Sequence, residues 1–498
     1  MNILLGIDIG TSACKTAAFS ENGRILAQAA EEYPTETPAR GWAQQDPDLW
    51  WAAVCNTIKE VLEKVPARDI AGIGIDGQSW SAIPVNKNGE VLCPTPIWMD
   101  TRASEICDRL KEEIGEDKLF SVSGNPLQPT YTLPKILWYK KHLPRVYNRT
   151  YKILQSNSFI AYRLTGEMTQ DISQGYGLSC FNMEKGQWDT ALCAQAGIPP
   201  GILPDLFPSH RIIGGVTESA AALTGLIPGT PVAAGGLDAA CGTLGAGVIH
   251  SGEVQEQGGQ AGGMSICMDR CVSDKRLILG RHVVPGLWLL QGGSVGGGGA
   301  VKWFMEQFGK AYEDAEKSGG GTPFFLMDRE AEKIPAGSGG LLFLPYMAGE
   351  RSPIWDPSAK GVFYGIDFAK TRAHFARAVM EGVAYSLLHN LKTAEESGVC
   401  AGTLNSMGGA ANSRLWTQIK ADVTGKKIHV PSADTATSLG AAILAGVGTG
   451  IYGSFDEAVS KTVTIKRTHY PRNREDYEKG YNRYLELYTR LKPMMNED

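Results

Sequence analysis

Residues 4–19 read LLGIDIGTSACKTAAF. An apolar run that fits a buried strand carries Asp8, breaks at Gly10-Thr11-Ser12, and resumes as KTAAF. A tight turn needs little more than its glycine, and Asp8 then does no more than cap it. Alternatively, Asp8 orients Mg²⁺ through water at nucleotide phosphates. Gly10, Thr11 and Ser12 then offer N–H groups and hydroxyls to the phosphate oxygens. The choice separates an ATP-using enzyme from an α/β protein of no stated chemistry.

The neighbouring segments narrow it. A polar turn at 20–23 leads into ILAQAAEEY, a third strand. In DPDLWWAAVCNTIKEVLEKV, from residue 46, Leu49, Ala52, Ala53, Ile58 and Leu62 fall close to helical spacing. Asp46 suits the N-cap and Pro47 the first helical position. IAGIGIDG is the next strand, so the order is β-β-β-α-β. A dinucleotide fold would open β-α-β with G-x-G-x-x-G at a helix. No G-x-x-x-x-G-K-[ST] occurs anywhere. A hairpin that cradles phosphate through D-x-G-T resembles the actin, hexokinase and Hsp70 class.

At 498 residues the chain has room for two or three cores. Its 48 basic and 53 acidic residues leave a net charge of −5, without the basic excess that nucleic acid requires. It contains no run of 18 apolar residues, so no membrane span is expected. A strand-like run follows the first residues with no charged leader, which argues against a signal peptide. Of ten cysteines only Cys267 and Cys271 lie close together, the pattern of reduced thiols in a cytoplasmic protein. Sixty glycines exceed the ordinary ~7% share and cluster where backbone must approach something closely.

A second glycine-rich passage, AAGGLDAACGTLGAGVIHSGEVQEQGGQAGGMSI, runs from 233 to 266 and reads as a new beginning. Two domains, 1–248 and 249–498, are therefore expected around a cleft. Further on, Phe375, Val379, Val383, Leu387 and Leu391 form a buried stripe at four-residue steps. SLGAAILAGVGTG, 438–450, is a small-residue helix fit for close packing. Asp238, set among glycines and alanines, is either an N-cap or the carboxylate that accepts a hydroxyl proton during phosphoryl transfer.

The most specific passage is GVFYGIDFAKTRAHFARAVMEG, 361–382. Gly361, Phe363, Gly365, Ile366, His374, Phe375, Ala378, Val379, Met380 and Glu381 match the second signature of the FGGY carbohydrate kinase family. WAQQDPDLWW (42–51), LPKILWYKKHLP (133–144), LPYMAGERSP (344–353) and SMGGAANSRLWTQIKADVTG (406–425) are similar to other segments of that family. On these motifs the chain is identified as a member, over about residues 3–490.

The resemblance implies an α/β protein of two ribonuclease-H-like domains, of the actin and hexokinase type, flanking a central cleft. The N-terminal one binds sugar through the first phosphate loop's side of the cleft, and the C-terminal one binds nucleotide. ATP and Mg²⁺ are the implied cofactors. Asp8 looks like the metal and phosphate-loop aspartate, Asp238 like the general base, and Gly408, Gly409 and Asn412 like the nucleotide segment. The family's second phosphate loop usually reads G-T-S or G-T-T, but GGQAGG stands here. Gly259 and Gln260 would serve through backbone N–H groups and an amide.

Around residue 78 the xylulokinase-like members read G-Q-M-H-G, where this chain has GQSWSA. Gln78, Ser79 and Trp80 are candidate sugar contacts, with Trp80 either stacking on the ligand or filling the core. Asp100 and Arg102, in IWMDTRA, either meet sugar hydroxyls or pair with each other at the surface. QGGSVGGGGAVKWF (291–304) resembles a further phosphate cradle but lacks its lysine or hydroxyl, and reads better as close helix packing.

The implied activity is ATP-dependent phosphorylation of a small-molecule sugar, most naturally the C5 hydroxyl of D-xylulose. Ribulose, another ketose, a polyol or gluconate are the alternatives, and a non-catalytic sugar- or nucleotide-binding regulator is a reading the altered loop allows. A chaperone-like or filament-forming ATPase would leave the sugar-kinase motifs unexplained. A homodimer is compatible with the family, and no interface is legible in the sequence.

Overall fold

The computed structural model describes residues 2–432 and 435–497. Its first sheet contains β1 (Ile3–Ile9), β2 (Ala13–Ser20), β3 (Ile25–Glu32), β4 (Ile70–Gly77), β5 (Ile212–Gly215), β6 (Pro231–Ala233) and β7 (Gly236–Leu237). The spatial order is β5-β6-β4-β1-β2-β3, with β7 also pairing with β4. β1 and β4 are parallel, whereas β1–β2 and β2–β3 are antiparallel hairpin pairs.

The second sheet contains β8 (Val254–Gly258), β9 (Gly262–Met268), β10 (Ile278–Arg281), β11 (Trp288–Ser294), β12 (Leu404–Met407), β13 (Ile428–Pro431) and β14 (Ile465–His469). Its order is β10-β11-β9-β8-β12-β13-β14. β8 pairs antiparallel with β9 and parallel with β12, and β14 closes the far edge antiparallel to β13. Six strands thus repeat the first sheet's path and directions: β8 stands for β1, β9 for β2, β11 for β3, β12 for β4, β13 for β6 and β14 for β5. The turn after Asp8 therefore has a structural twin in the turn at 259–261.

No strand of residues 1–248 pairs with one of 249–498 among the described residues. One helix does cross. Five helices matter for the site: α1 (Pro47–Leu62), α2 (Asp238–Gly245), α3 (Gly298–Phe308), α4 (Arg372–Glu396) and α5 (Ala436–Gly448). α5 comes from the second half yet lies on the first sheet. A Cβ at Gly6 would sit 1.8 Å from the Ser438 carbonyl oxygen, and one at Gly74 1.8 Å from that of Ala441. α5 and α2 meet in the same way, through Gly440 against Cys241 and Gly245 against Ala436. Helix backbone resting on strand backbone holds the two halves on one axis, and an added methyl there would cost at least ~1–3 kcal/mol.

α1 starts as its sequence requires, with the Asp46 side chain accepting from Asp48 N and Pro47 in the first turn. Its buried face keeps Ala53 and Ile58 of the expected stripe but not Leu49 or Ala52. Leu49 is exposed at 43%, while Trp50, Val54, Ile58 and Val61 are fully buried. The two tryptophans supply more apolar surface than a leucine and rotate the helix to cover it. No described helix is long and apolar enough to cross a membrane.

Candidate active site

β1 and β4 carry the same tripeptide in register. Gly6 pairs with Gly74, Ile7 with Ile75 and Asp8 with Asp76. The glycines admit α5 to the sheet, and two residues further along the same face come the two carboxylates. β7 then places Gly236 beside Asp76, so that Asp238, first residue of α2, completes a trio. Asp76 did not emerge from the sequence, although the repeated GID of 6–8 and 74–76 was the available signal.

Asp76 is 0% exposed and neither of its carboxylate oxygens has a hydrogen-bond donor. Burial, followed by the charges of Asp8 and Asp238, holds its carboxyl well above the usual range. Asp8, partly open, is also raised by burial, with Lys15 across the hairpin opposing. Burial and then Asp8 push Asp238 up to about 7, against the Ala239 N–H that donates to it at 2.6 Å. Lys15 is the one cation that acts on Asp8 or Asp76.

Three poorly neutralised carboxylates, one of them with both oxygens orphaned, call for a cation, so the donor set fits Mg²⁺. Among the described residues no three His, Cys, Asp or Glu side chains converge to hold an ion by themselves. The ion would accordingly share its coordination with water and phosphate oxygens, as Mg²⁺ commonly does.

Both hairpin turns fit phosphate. In the first, the Gly10 carbonyl accepts from Tyr33 Oη at 2.6 Å, that of Thr11 from Gln45 Nε2 at 2.7 Å, and that of Ser12 from Tyr33 N at 3.1 Å. Trp98 Nε1 holds Thr11 Oγ1 at 2.9 Å. With the carbonyls turned outward and held, the N–H groups of Thr11 and Ser12 keep no acceptor among the described residues. In the second turn Gly298 N donates to the Gly259 carbonyl at 2.7 Å and Gly299 N to that of Gln260 at 2.9 Å. Here too the intervening N–H groups have no acceptor among the described residues.

The glycines at 296–299 therefore back the second loop: a Cβ at Gly297 would lie 2.1 Å from Gly262 N. Gly408, at φ 85°, would carry a Cβ 2.9 Å from the Gly258 carbonyl oxygen, which sets the 409–412 turn beside the same loop. A Cβ at Gly409 would meet nothing within 4 Å, and Asn412 is exposed. This open, side-chain-free floor fits a nucleotide.

Gln78 stands next to the first loop. Its Nε2 donates to Gln45 Oε1 at 2.8 Å while its buried Oε1 has no partner. Gln174 holds the Gly77 and Gln78 carbonyls through Nε2, at 3.1 and 3.2 Å, and also keeps a partnerless buried Oε1. Ser79 is half-buried. Trp80 sits in the left-handed region at φ 61°, its ring 4.6 Å from that of Tyr131 and edge-on to Tyr176. Much of the indole therefore packs on aromatic neighbours.

Lys135 fixes this turn, donating to the carbonyls of Trp80 and Ile97 at 2.9 and 2.8 Å, and burial lowers its ammonium to about 7.

Asp100 and Arg102 belong to a different device. Arg102 Nε lies 3.0 and 2.9 Å from the two Asp100 oxygens, which also accept from Ala43 N. The guanidinium reaches Gln44 Oε1 at 2.9 Å and lies over the Trp42 ring at 3.9 Å. The two pair with each other, as one reading of the sequence had it, but with side chains only 4% and 0% exposed rather than at the surface. Arg102 Nε and Nη2 and both Asp100 oxygens are engaged within the chain.

Residues 3–245 match the N-terminal domain and residues 275–449 the C-terminal domain of the FGGY family of carbohydrate kinases. The chain is 31% identical to a xylulose kinase of Bacillus subtilis, covering 99% of this chain and 98% of that one. It is 29% identical to a gluconokinase of the same organism, covering 99% and 96%. The crystal structure of a xylulose kinase from Rhodospirillum rubrum superposes with a TM-score of 0.91 at 29% identity, covering 99% of this chain and all of that one. With its duplicated sheets, the chain belongs to the FGGY family of carbohydrate kinases and is an ATP-dependent sugar kinase.

Proposed function

We propose that the sugar is a ketopentose, D-xylulose, phosphorylated at its C5 hydroxyl with Asp238 as general base. The observation that carries the ketose is the charge of the N-terminal wall. Its two buried cations are engaged, Lys135 on carbonyls and Arg102 on Asp100. Its free groups include the amide oxygens of Gln78, Asn157 and Gln174, beside the Trp80 indole N–H. Buried acceptors without donors favour a ligand that brings hydroxyl donors. An aldonate phosphorylated at its terminal hydroxyl would turn its carboxylate away from Asp238, onto a wall whose cations are already engaged.

In the reaction, Asp238 takes the proton of the attacking hydroxyl as its oxygen bonds to the γ-phosphorus of ATP. The bond from that phosphorus to the β–γ bridging oxygen breaks and ADP departs. The free N–H groups of residues 11–12 and 259–261 hold phosphate oxygens from the two sides. Mg²⁺, when bound beside Asp8, would offset charge on the phosphates. Gln78 and Gln174 orient the sugar.

A coupled ADP-release assay across ketopentoses, ketohexoses, polyols and aldonates tests the assignment. D-xylulose should give the highest kcat/KM. A preference for an aldonate overturns the substrate, and no compound raising ADP release above the sugar-free rate would favour the regulator.

A further inference from the structure

β11 delivers the chain to the glycines that back the second phosphate turn, and residues 350–355 are clamped across its end. Ser294 Oγ and Val295 N donate to the two Glu350 oxygens at 2.7 and 2.8 Å, and Gly293 N donates to Ser352 Oγ at 2.5 Å. Trp355 N donates to the Arg351 carbonyl at 2.7 Å. Both neighbours of Arg351 thus grip the strand. Arg351 itself lies flat over Gly293, where a Cβ would be 3.2 Å from its Cζ.

Its guanidinium has no ion pair or hydrogen-bond acceptor among the described residues, and Nε is buried without a partner. Glu350, next to it in the chain, acts on it through space but makes no direct ion pair, its oxygens being engaged by Ser294, Val295 and the Arg351 backbone N–H.

The direction in which it faces follows from the alternation of β11. Gly292 approaches Asn390 of α4, so Gly293 and Gln291 belong to the opposite face. On that face Gly280 lies between Gln291 and Tyr176, the aromatic neighbour of Trp80. Arg351 therefore stands on the side of the second sheet that looks across to the candidate sugar site, next to the strand end that enters the phosphate turn.

A largely buried guanidinium whose donors meet no acceptor is unusual, and its planar fork fits phosphate oxygens. The adjoining turn, GGQAGG, offers backbone N–H groups but no hydroxyl and no charge.

We propose that Arg351 grips the phosphoryl group in transfer, holding its oxygens from the C-terminal half while the sugar hydroxyl attacks. This rests on the kinase activity and not on which sugar is used.

Arg351→Gln and Arg351→Lys test it, with thermal unfolding read first. Affinities of the enzyme for sugar alone and for ADP alone are measured by titration calorimetry, alongside kcat and the affinity for ADP with aluminium fluoride in the presence of sugar. In Arg351→Gln, kcat and aluminium fluoride complex affinity should both fall about 10²-fold or more, with sugar and ADP affinities within twofold of wild type. Arg351→Lys, which keeps the charge but loses the fork, should lose about tenfold in both. It carries the test if the glutamine variant does not fold. A kcat within threefold of wild type in a folded variant overturns the proposal. So does a loss of sugar or ADP affinity as large as the loss of kcat.

Discussion

Replacing Asp238 by asparagine removes a charge from a buried trio and the proton acceptor with it, so stability and turnover should move in opposite directions. Burial and Asp8 raise the Asp238 carboxyl from 3.8 to about 7. A shift of that size corresponds to about 4 kcal/mol of native-state cost once the group is ionised. Asp238 is partly open to the cleft, and solvent there reduces the recoverable part to ~1–2 kcal/mol. For a domain of this size that is a rise in Tm of about 2–8 °C.

The sign follows from linkage. Between pH 4 and 7 the unfolded carboxyl is ionised while the folded one keeps its proton, so wild-type stability falls across that window. The asparagine variant has no such group, and its advantage grows from near pH 4 to about 7 and is level above. Turnover should drop ~10²–10⁴-fold, the usual contribution of a general base. Scanning calorimetry at pH 5 and pH 8 without metal or nucleotide, paired with the ADP-release assay, reads both effects. A gain in Tm no larger at pH 8 than at pH 5, or turnover within tenfold of wild type, would refute the reasoning.

The same carboxyl should give kcat/KM for the sugar a single acidic limb near pH 7 in the wild type, rising with pH as Asp238 loses its proton; a flat profile from pH 5.5 to 8 contradicts this. Trp80→Ala removes a ring packed on Tyr131 and Tyr176 and should cost ~3 kcal/mol in denaturant unfolding while raising the sugar KM about tenfold. An unchanged KM would reduce Trp80 to core filling. Arg102→Ala leaves Asp100 buried without its counter-ion and should lower stability by ~3–5 kcal/mol with the sugar KM unaltered. A raised KM in a variant of normal stability would restore Arg102 to the sugar site.

Local chemistry made the first hairpin, the cap of α1 and the glycine face of α5 legible in the sequence, because each depends on residues within a turn or two of each other. The strand-by-strand correspondence of the two sheets was not legible, although 233–266 read as a second beginning. VQEQG and GGMSICM share few side chains with ILLGIDI and ACKTAAFS, and what repeats is the path and direction of the strands.

Asp76 escaped for a related reason. A lone aspartate at a strand end says little until the parallel register sets it beside Asp8. Asp100 and Arg102 looked like ligand groups because their types and spacing suit a polyol. Their partners Ala43, Gln44 and Trp42 lie 57 to 60 positions back along the chain. The tilt of α1 turned on competition between Leu49 and two tryptophans, which periodicity alone does not rank.

The central claim is a kinase whose sugar wall is neutral, and the ratio of kcat/KM for D-xylulose to that for D-gluconate, measured on one preparation at pH 7.5 with saturating ATP and Mg²⁺, tests it most directly. The ratio should be at least about 10², the discrimination expected when a carboxylate must enter a wall that offers it no free cation. A ratio near one, or in favour of gluconate, would contradict it.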